Sequence, residues 1–309
     1  MVLNIDELNR RLHSDKKEFI LECDNNYFED IKKIASTIKQ NIETTPIILL
    51  SGPSGSGKTT SALSIERILD NDGFETHAVA LDNYFLPLSE REKEMVNEDK
   101  LDLESPDRVD KDLLNTQLEK MVNCEAVELP RFDFKTASRE FDGKILKRKP
   151  NEPVILEGIH SLNPDVIQIP NTEVFKIYVS VRTRVQYGSI TVHPQFIRLL
   201  RRMTRDNIYR GRTINETIRM FESVEVGAEK YIMPYKPLAD VDIDTFIPYE
   251  LAVYRNILYQ NIKDCDTHAF NDKIQELLHL LSASCGLDQN EVPTSSLIRE
   301  FIGNGHFEY

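Results

Sequence analysis

Ile47-Ile48-Leu49-Leu50-Ser51-Gly52-Pro53-Ser54-Gly55-Ser56-Gly57-Lys58-Thr59-Thr60 decides how the rest of the chain is read. Its first four residues form a continuous apolar run introduced by Pro46, the pattern of a parallel strand buried on both faces. Gly52 to Thr59 then fits GxxxxGK[ST], and Lys58 to Asp70 follows a helical pattern stopped by Asn71-Asp72-Gly73. A strand, a glycine-rich turn and a helix in that order form the setting in which this motif cradles phosphate. Glycines let the backbone curl so that successive N–H groups face phosphate oxygens, and the helix N-terminus adds the positive end of its dipole. In this reading Gly52, Pro53, Ser54, Gly55, Ser56, Gly57, Lys58, Thr59 and Thr60 hold the ATP. Lys58 reaches the β- and γ-phosphates, and Thr59 supplies a hydroxyl to the Mg2+ that bridges them. The motif specifies nucleotide binding and leaves the acceptor open, because GTPases, motor ATPases and kinases share it.

Outward from the loop, Thr76 to Leu81 reads as the next strand and completes a βαβ unit. Leu86 to Asp112 is charge-dense, opens on a capping box at Ser89 and Glu92, and reads as a mobile, solvated insertion. A helix near Asp110 to Cys124 follows, then strands near Glu128 to Phe134, Val154 to Glu157 and Phe175 to Val181. An arginine-rich helix runs from about Pro194 to Tyr209, a second capping box at Thr213 and Glu216 starts another, and Val241-Asp242-Ile243 resembles a last short strand. This alternation predicts an α/β fold, a doubly wound, mainly parallel sheet flanked by helices. Three parts are expected. Residues 1–45 form a helical accessory segment with an apolar side at Phe28, Ile31, Ile34 and Ile38. Residues 46–265 form the P-loop domain, with a lid at about 194–213. Residues 266–309 form a helical extension with a packing stripe at Leu277, Leu278, Leu280 and Leu281.

The 309 residues carry 38 Lys and Arg against 51 Asp and Glu, a net charge of −13, so the whole-molecule field repels nucleic acid and anionic membrane. Neither is expected as a partner, and any phosphate site must be local. Cys23, Cys124, Cys265 and Cys285 are scattered without zinc spacing, as reduced thiols in a cytoplasmic protein would be. A polar N-terminus and the lack of an apolar stretch of roughly 20 residues predict neither secretion nor membrane insertion.

Two acids stand at predicted strand ends, where α/β sheets present their sites. Asp82 follows Leu81, and Glu157 closes Val154-Ile155-Leu156. As a pair, Asp82 can take the acceptor hydroxyl proton and Glu157 can hold Mg2+ directly or through water. Arg198, Arg201, Arg202, Arg205, Arg210 and Arg212 add a local basic cluster, several on one helical face, with Gly211 allowing a turn after Arg210. In an acidic chain such a cluster is a candidate clamp for a transferring phosphoryl group.

Taken together, Gly52 to Thr59, Leu81 to Phe85, Pro106 to Asp110, Pro130 to Phe134, Leu156 to Ile159, Arg202 to Arg212 and Ala239 to Val241 resemble the uridine kinase and phosphoribulokinase family in kind and in order. The extra length at both ends is similar to a longer bacterial uridine kinase-like branch. The resemblance implies transfer of the ATP γ-phosphoryl group to a hydroxyl of a small sugar-containing acceptor, with uridine kinase as the nearest label. It implies that Asp82 is the general base, that Thr59, Asp82 and Glu157 surround Mg2+, and that Asp107 and Arg205 contact the acceptor sugar. Tyr84 and Phe132 would line the same substrate site, Arg210 and Arg212 would close over the phosphates, and a homo-oligomer would be in keeping with the family.

The chain departs from the family where the pyrimidine is read. Phe132 stands in place of a Tyr and Ala137 in place of a His, so two polar base contacts are missing. Another sugar, a phosphosugar or a pantothenate-like alcohol therefore stays open as acceptor. A non-catalytic ATP-binding regulatory protein is the reading from another class, and the retained Asp82, Glu157 and arginines count against it. His160, His193 and His279 have no partner pattern and are assigned packing or surface roles.

Overall fold

The computed structural model of the protein describes residues 2–97, 100–265 and 271–307. Residues 98–99 of the expected insertion and the first five of the expected C-terminal extension lie outside the described residues. The first half comprises β1 (Val2–Asn4), α1 (Ile5–Ser14), α2 (Lys16–Asn41), β2 (Ile47–Ser51), α3 (Lys58–Asn71), β3 (His77–Ala80), α4 (Glu90–Asn97), α5 (Lys111–Val122), β4 (Val127–Asp133) and β5 (Ser138–Leu146). The chain continues with β6 (Val154–Glu157), β7 (Val174–Ser180), β8 (Arg184–Tyr187), β9 (Ile190–Val192), α6 (Gln195–Arg210), α7 (Ile214–Tyr231), β10 (Val241–Asp244), α8 (Glu250–Lys263), α9 (Asn271–Ala283) and α10 (Arg299–Ile302).

Five strands in the order β10-β7-β2-β6-β3 form a wholly parallel central sheet. Every residue of β2 is buried, as its unbroken apolar run predicts. Its side chains alternate between two cores. Ile48 and Leu50 join the cluster that contains Ile31 and Ile34 of α2, Ile65 and Leu69 of α3, and Leu200 of α6, whereas Ile47 and Leu49 join Leu114, Leu118 and Met121 of α5. The sheet is thus covered on both faces, which makes the fold the α/β, doubly wound P-loop architecture that the sequence predicts. Register fixes where chemistry can sit: Leu50 and Ala80 both pair with Glu157, so β2, β3 and β6 end level and their loops converge on one edge.

The N-terminal helices pack into the same core. Phe19, Cys23, Tyr27, Ile31, Ile34 and Ile38 form the buried stripe of α2, and Tyr27 Oη lies 3.0 Å from Ser61 Oγ on α3. Two features were not legible in the sequence. Val2–Asn4 pairs parallel with β8, which also pairs antiparallel with β9, giving a small second sheet. Ser138–Leu146 pairs antiparallel with β4 as a projecting hairpin, with an irregularity between Glu128 and Pro130, where proline has no N–H to donate. Both predicted capping boxes form, at Ser89/Glu92 and at Thr213/Glu216. No helix among the described residues is long and apolar enough to cross a membrane, and the four cysteines are free thiols.

Three distant segments meet at one buried carboxylate. Tyr249 Oη donates to Asp24 of α2 at 3.0 and 2.9 Å, and Ser296 Oγ donates to it at 2.8 Å. Burial outweighs these hydrogen bonds and pushes the Asp24 carboxyl up to about 6. A carboxyl raised in the folded state costs stability once ionised, so the cost grows as pH rises from the unfolded value near 4 to about 6. In denaturant titrations between pH 4 and 7, the wild type should therefore lose more stability than Asp24→Asn as pH rises, by on the order of 3 kcal/mol. Parallel pH profiles for the two proteins would contradict this.

Candidate active site

At the carboxyl edge of the sheet, Gly57 takes φ +86 and starts α3, a left-handed conformation that favours glycine. Lys58 donates back to the Pro53 carbonyl at 3.3 Å, and Thr59 Oγ1 donates to Glu157 Oε1 at 3.2 Å. Burial lowers the Lys58 ammonium pKa, against the opposing pull of Glu157, Asp82 and Glu300. Burial likewise pushes Glu157 up to about 7 and raises Asp82, with Lys58 opposing both shifts and the charges of Asp82 and Glu300 raising Glu157 further. One ammonium is thus set among carboxylates that hold protons unusually well. Such a site is short of positive charge, and a hydroxyl bonded to one carboxylate, with the charge of a second acting on that carboxylate, is an oxygen donor set that suits Mg2+. No cluster of three His, Cys, Asp or Glu side chains among the described residues would hold a metal alone, so a cation at Thr59, Asp82 and Glu157 would share its shell with phosphate oxygens.

The arginines divide into two groups. Arg201 is fully buried, with bonds to Glu250 at 2.7 and 2.8 Å, to the Gly55 carbonyl at 3.2 Å and to the Thr245 carbonyl at 2.6 Å. Arg198 bonds the Ser54 carbonyl at 3.2 Å and Glu225 at 2.8 Å. Both brace the phosphate loop from α6. The other four surround Asp206, which is fully buried. Arg205 bonds it at 2.7 Å, Arg210 lies at 3.6 Å, and Arg202 and Arg212 both lie at 3.8 Å. Arg202 also bonds Ser54 Oγ, and Arg210 lies 5.2 Å from the centroid of the Phe134 ring. Burial pulls Arg202 and Arg210 down to about 10, so both stay charged at neutral pH. Arg205 and Arg210 act electrostatically on Asp82, which brings the cluster to the same site as Lys58 and Glu157.

Three expected contacts are placed otherwise. Tyr84 is wholly buried and its hydroxyl donates to Gln117 at 2.8 Å, so it belongs to the core beneath the site. The Asp107 side chain is 84% exposed and pairs with Lys111. Its backbone N–H is held by the Ser105 side chain, which caps this surface turn and leaves the carboxylate in solvent. Thr60 gives both its N–H and its hydroxyl to Glu300, at 3.0 and 2.6 Å. Phe132 stands against the turn that carries Asp82: its N–H donates to Asn83 at 3.1 Å, and its ring meets Phe85 at 5.9 Å and Phe134 at 5.3 Å, both edge-on. His160 is fully buried and held down to about 4 by desolvation, so it is neutral and packs against Tyr231.

Besides Glu300, sequence reading missed two residues here. Asp206 had a signal, since it lies four residues from both Arg202 and Arg210 on one helix. Glu104 had none, standing in a charge-dense stretch. Its Oε2 is buried without a hydrogen-bond partner, burial raises its carboxyl, and it feels Arg202, Asp82 and Lys58. Gly227 of α7 makes room for it, as a Cβ there would lie 2.4 Å from Glu104 Cβ. Asp206→Asn should cost about 3–5 kcal/mol in urea denaturation, since it leaves four arginines packed without their shared counter-charge. A loss below about 1 kcal/mol would mean that the arginines do not depend on it.

The model of the "Phosphoribulokinase / Uridine kinase family" matches residues 47–250. A uridine kinase of Halobacterium salinarum is 29% identical over 196 residues, covering 63% of this chain and 77% of that protein. A uridine kinase of Staphylococcus aureus is 32% identical over 208 residues, covering 65% of this chain and 88% of that protein. The solved structure of the YGR205w protein is 20% identical with a TM-score of 0.48, covering 69% of this chain and 88% of that one. The family match spans the phosphate loop, both strand-end acids and the arginine cluster, and the chain belongs to the phosphoribulokinase and uridine kinase family of ATP-dependent phosphoryl-transfer proteins.

Proposed function

We propose that the protein transfers the γ-phosphoryl group of ATP to a hydroxyl of a small, neutral, sugar-containing acceptor, uridine kinase being the nearest label. The observation that carries this is the placement of Asp82 at the strand edge shared with Lys58 and Glu157, under the charge of Arg205 and Arg210. A protein that only sensed ATP would have no use for a half-buried base there.

The loop amides and Lys58 hold the phosphates. Mg2+, held by Thr59, Asp82 and Glu157, would neutralise charge on the transferring group. Asp82 accepts the acceptor hydroxyl proton. Arg202, Arg205, Arg210 and Arg212, aligned by Asp206, stabilise charge on the phosphoryl oxygens and help exclude water. Glu104 offers a buried acceptor for a second hydroxyl of the substrate, and with Asp82 it disfavours an acceptor that is itself anionic.

A second reading keeps the chemistry and changes the acceptor to a sugar or alcohol without a pyrimidine. It is favoured by the wall of Phe85, Phe132 and Phe134, which offers ring edges and faces where hydrogen bonds would read a base.

Asp82→Asn should lower kcat by about a hundred- to ten-thousand-fold while leaving ATP affinity within a few-fold. Retained turnover in Asp82→Asn would remove the base assignment. Glu104→Gln should act chiefly on KM for the acceptor, and an effect confined to KM for ATP would place Glu104 elsewhere.

A further inference from the structure

The segment from Val292 to Gly303 lies across the phosphate cradle. Leu297, Ile298 and Phe301 are fully buried, and Arg201 lies 5.0 Å from the centroid of the Phe301 ring. Leu297 Cδ1 lies 3.0 Å from where a Cβ of Gly57 would be, so the strap touches the loop at its last glycine. Arg299 holds the strap's own curve by bonding the carbonyls of Gln289, Pro293 and Gly303 at 3.0, 3.3 and 3.1 Å. Ser296 ties it to Asp24 and Tyr249.

Glu300 is the telling residue. It is 7% exposed, and Oε2 accepts from both the N–H and the hydroxyl of Thr60. Thr60 is the third residue of α3, so its N–H is one of the donors at the helix N-terminus that a phosphate would use. A carboxylate therefore occupies an anion position of the cradle, and its charge is felt at Lys58 and Glu157.

We infer that Glu300 is an internal competitor for nucleotide phosphate, and that the strap restrains ATP binding until Glu300 leaves Thr60. This rests on the kinase reading above. A phosphate arriving at Thr60 meets a buried like charge, and the pair cannot share the same two donors. The strap's tie to Asp24 sets how readily it yields.

The test is calorimetric titration of Mg-ADP into the wild type, Glu300→Gln, Glu300→Ala and Ser296→Ala, with thermal melting as the check on folding. Glu300→Gln keeps a side-chain acceptor for Thr60 and removes the charge, and its Kd should fall by about tenfold or more. Ser296→Ala, which leaves the cradle intact, should give a smaller gain. Adenosine, which brings no phosphate, should gain nothing. In the wild type, saturating ADP should speed amide exchange across residues 294–303. Unchanged or weaker ADP binding by both Glu300 variants overturns the inference, as does an equal gain for adenosine or unaltered exchange in the wild type. In each of those cases wild-type ADP binding leaves the kinase reading standing. Failure of every protein to bind Mg-ADP would remove both.

Discussion

A half-buried ammonium set among carboxylates is the arrangement on which the rest of the molecule depends. Lys58 gives up part of its hydration at the mouth of the phosphate loop, and Glu157 and Asp82 offset that loss. Lys58 opens the helix after β2, Asp82 follows β3 and Glu157 closes β6, and the level ends of these three strands hold the side chains in place. The two acids exceed the local positive charge of the ammonium, and that imbalance is what a metal–phosphate complex would relieve.

The arginine-rich helix answers the same problem from the other side. Four guanidinium groups share one buried carboxylate, Asp206, so each has unused donors while none is left without a counter-charge. Arg198 and Arg201 lie on the same helix but serve the loop: their bonds to Glu225 and Glu250, and to loop carbonyls, fix the curve of residues 54–55. One helix therefore both shapes the cradle and carries the charges above it. The strap that packs on this helix through Phe301 extends the unit to the far end of the chain.

Much of the fold could be read from local pattern because β2, α3 and β6 obey it closely. An unbroken apolar run means a strand buried on both faces, and a capping box means a helix start. What escaped was non-local. Val2–Asn4 becomes a strand only because β8 is beside it, and Ser138–Leu146 has mostly exposed side chains, so no alternation marks it. The site followed the same rule. Lys58, Thr59, Asp82, Glu157 and the arginines were visible because their residue types stand at strand ends or in a motif. Glu104 and Glu300 were not, since a lone acid in a charged loop or in a tail carries no signal until the fold brings it to the site. Tyr84 and Asp107 belonged to motifs of the right kind, yet one turns into the core and the other into solvent.

The proposal that this edge of the sheet moves a phosphoryl group from ATP to an alcohol is tested most directly by ADP release from Mg-ATP. The acceptor panel is uridine, cytidine, pentoses, phosphosugars and pantothenate, with Lys58→Ala protein as the blank. At least one neutral sugar-containing acceptor should raise ADP release well above the blank and gain a phosphoryl group in the mass spectrum. ATP binding with no acceptor raising release above the Lys58→Ala rate would contradict it.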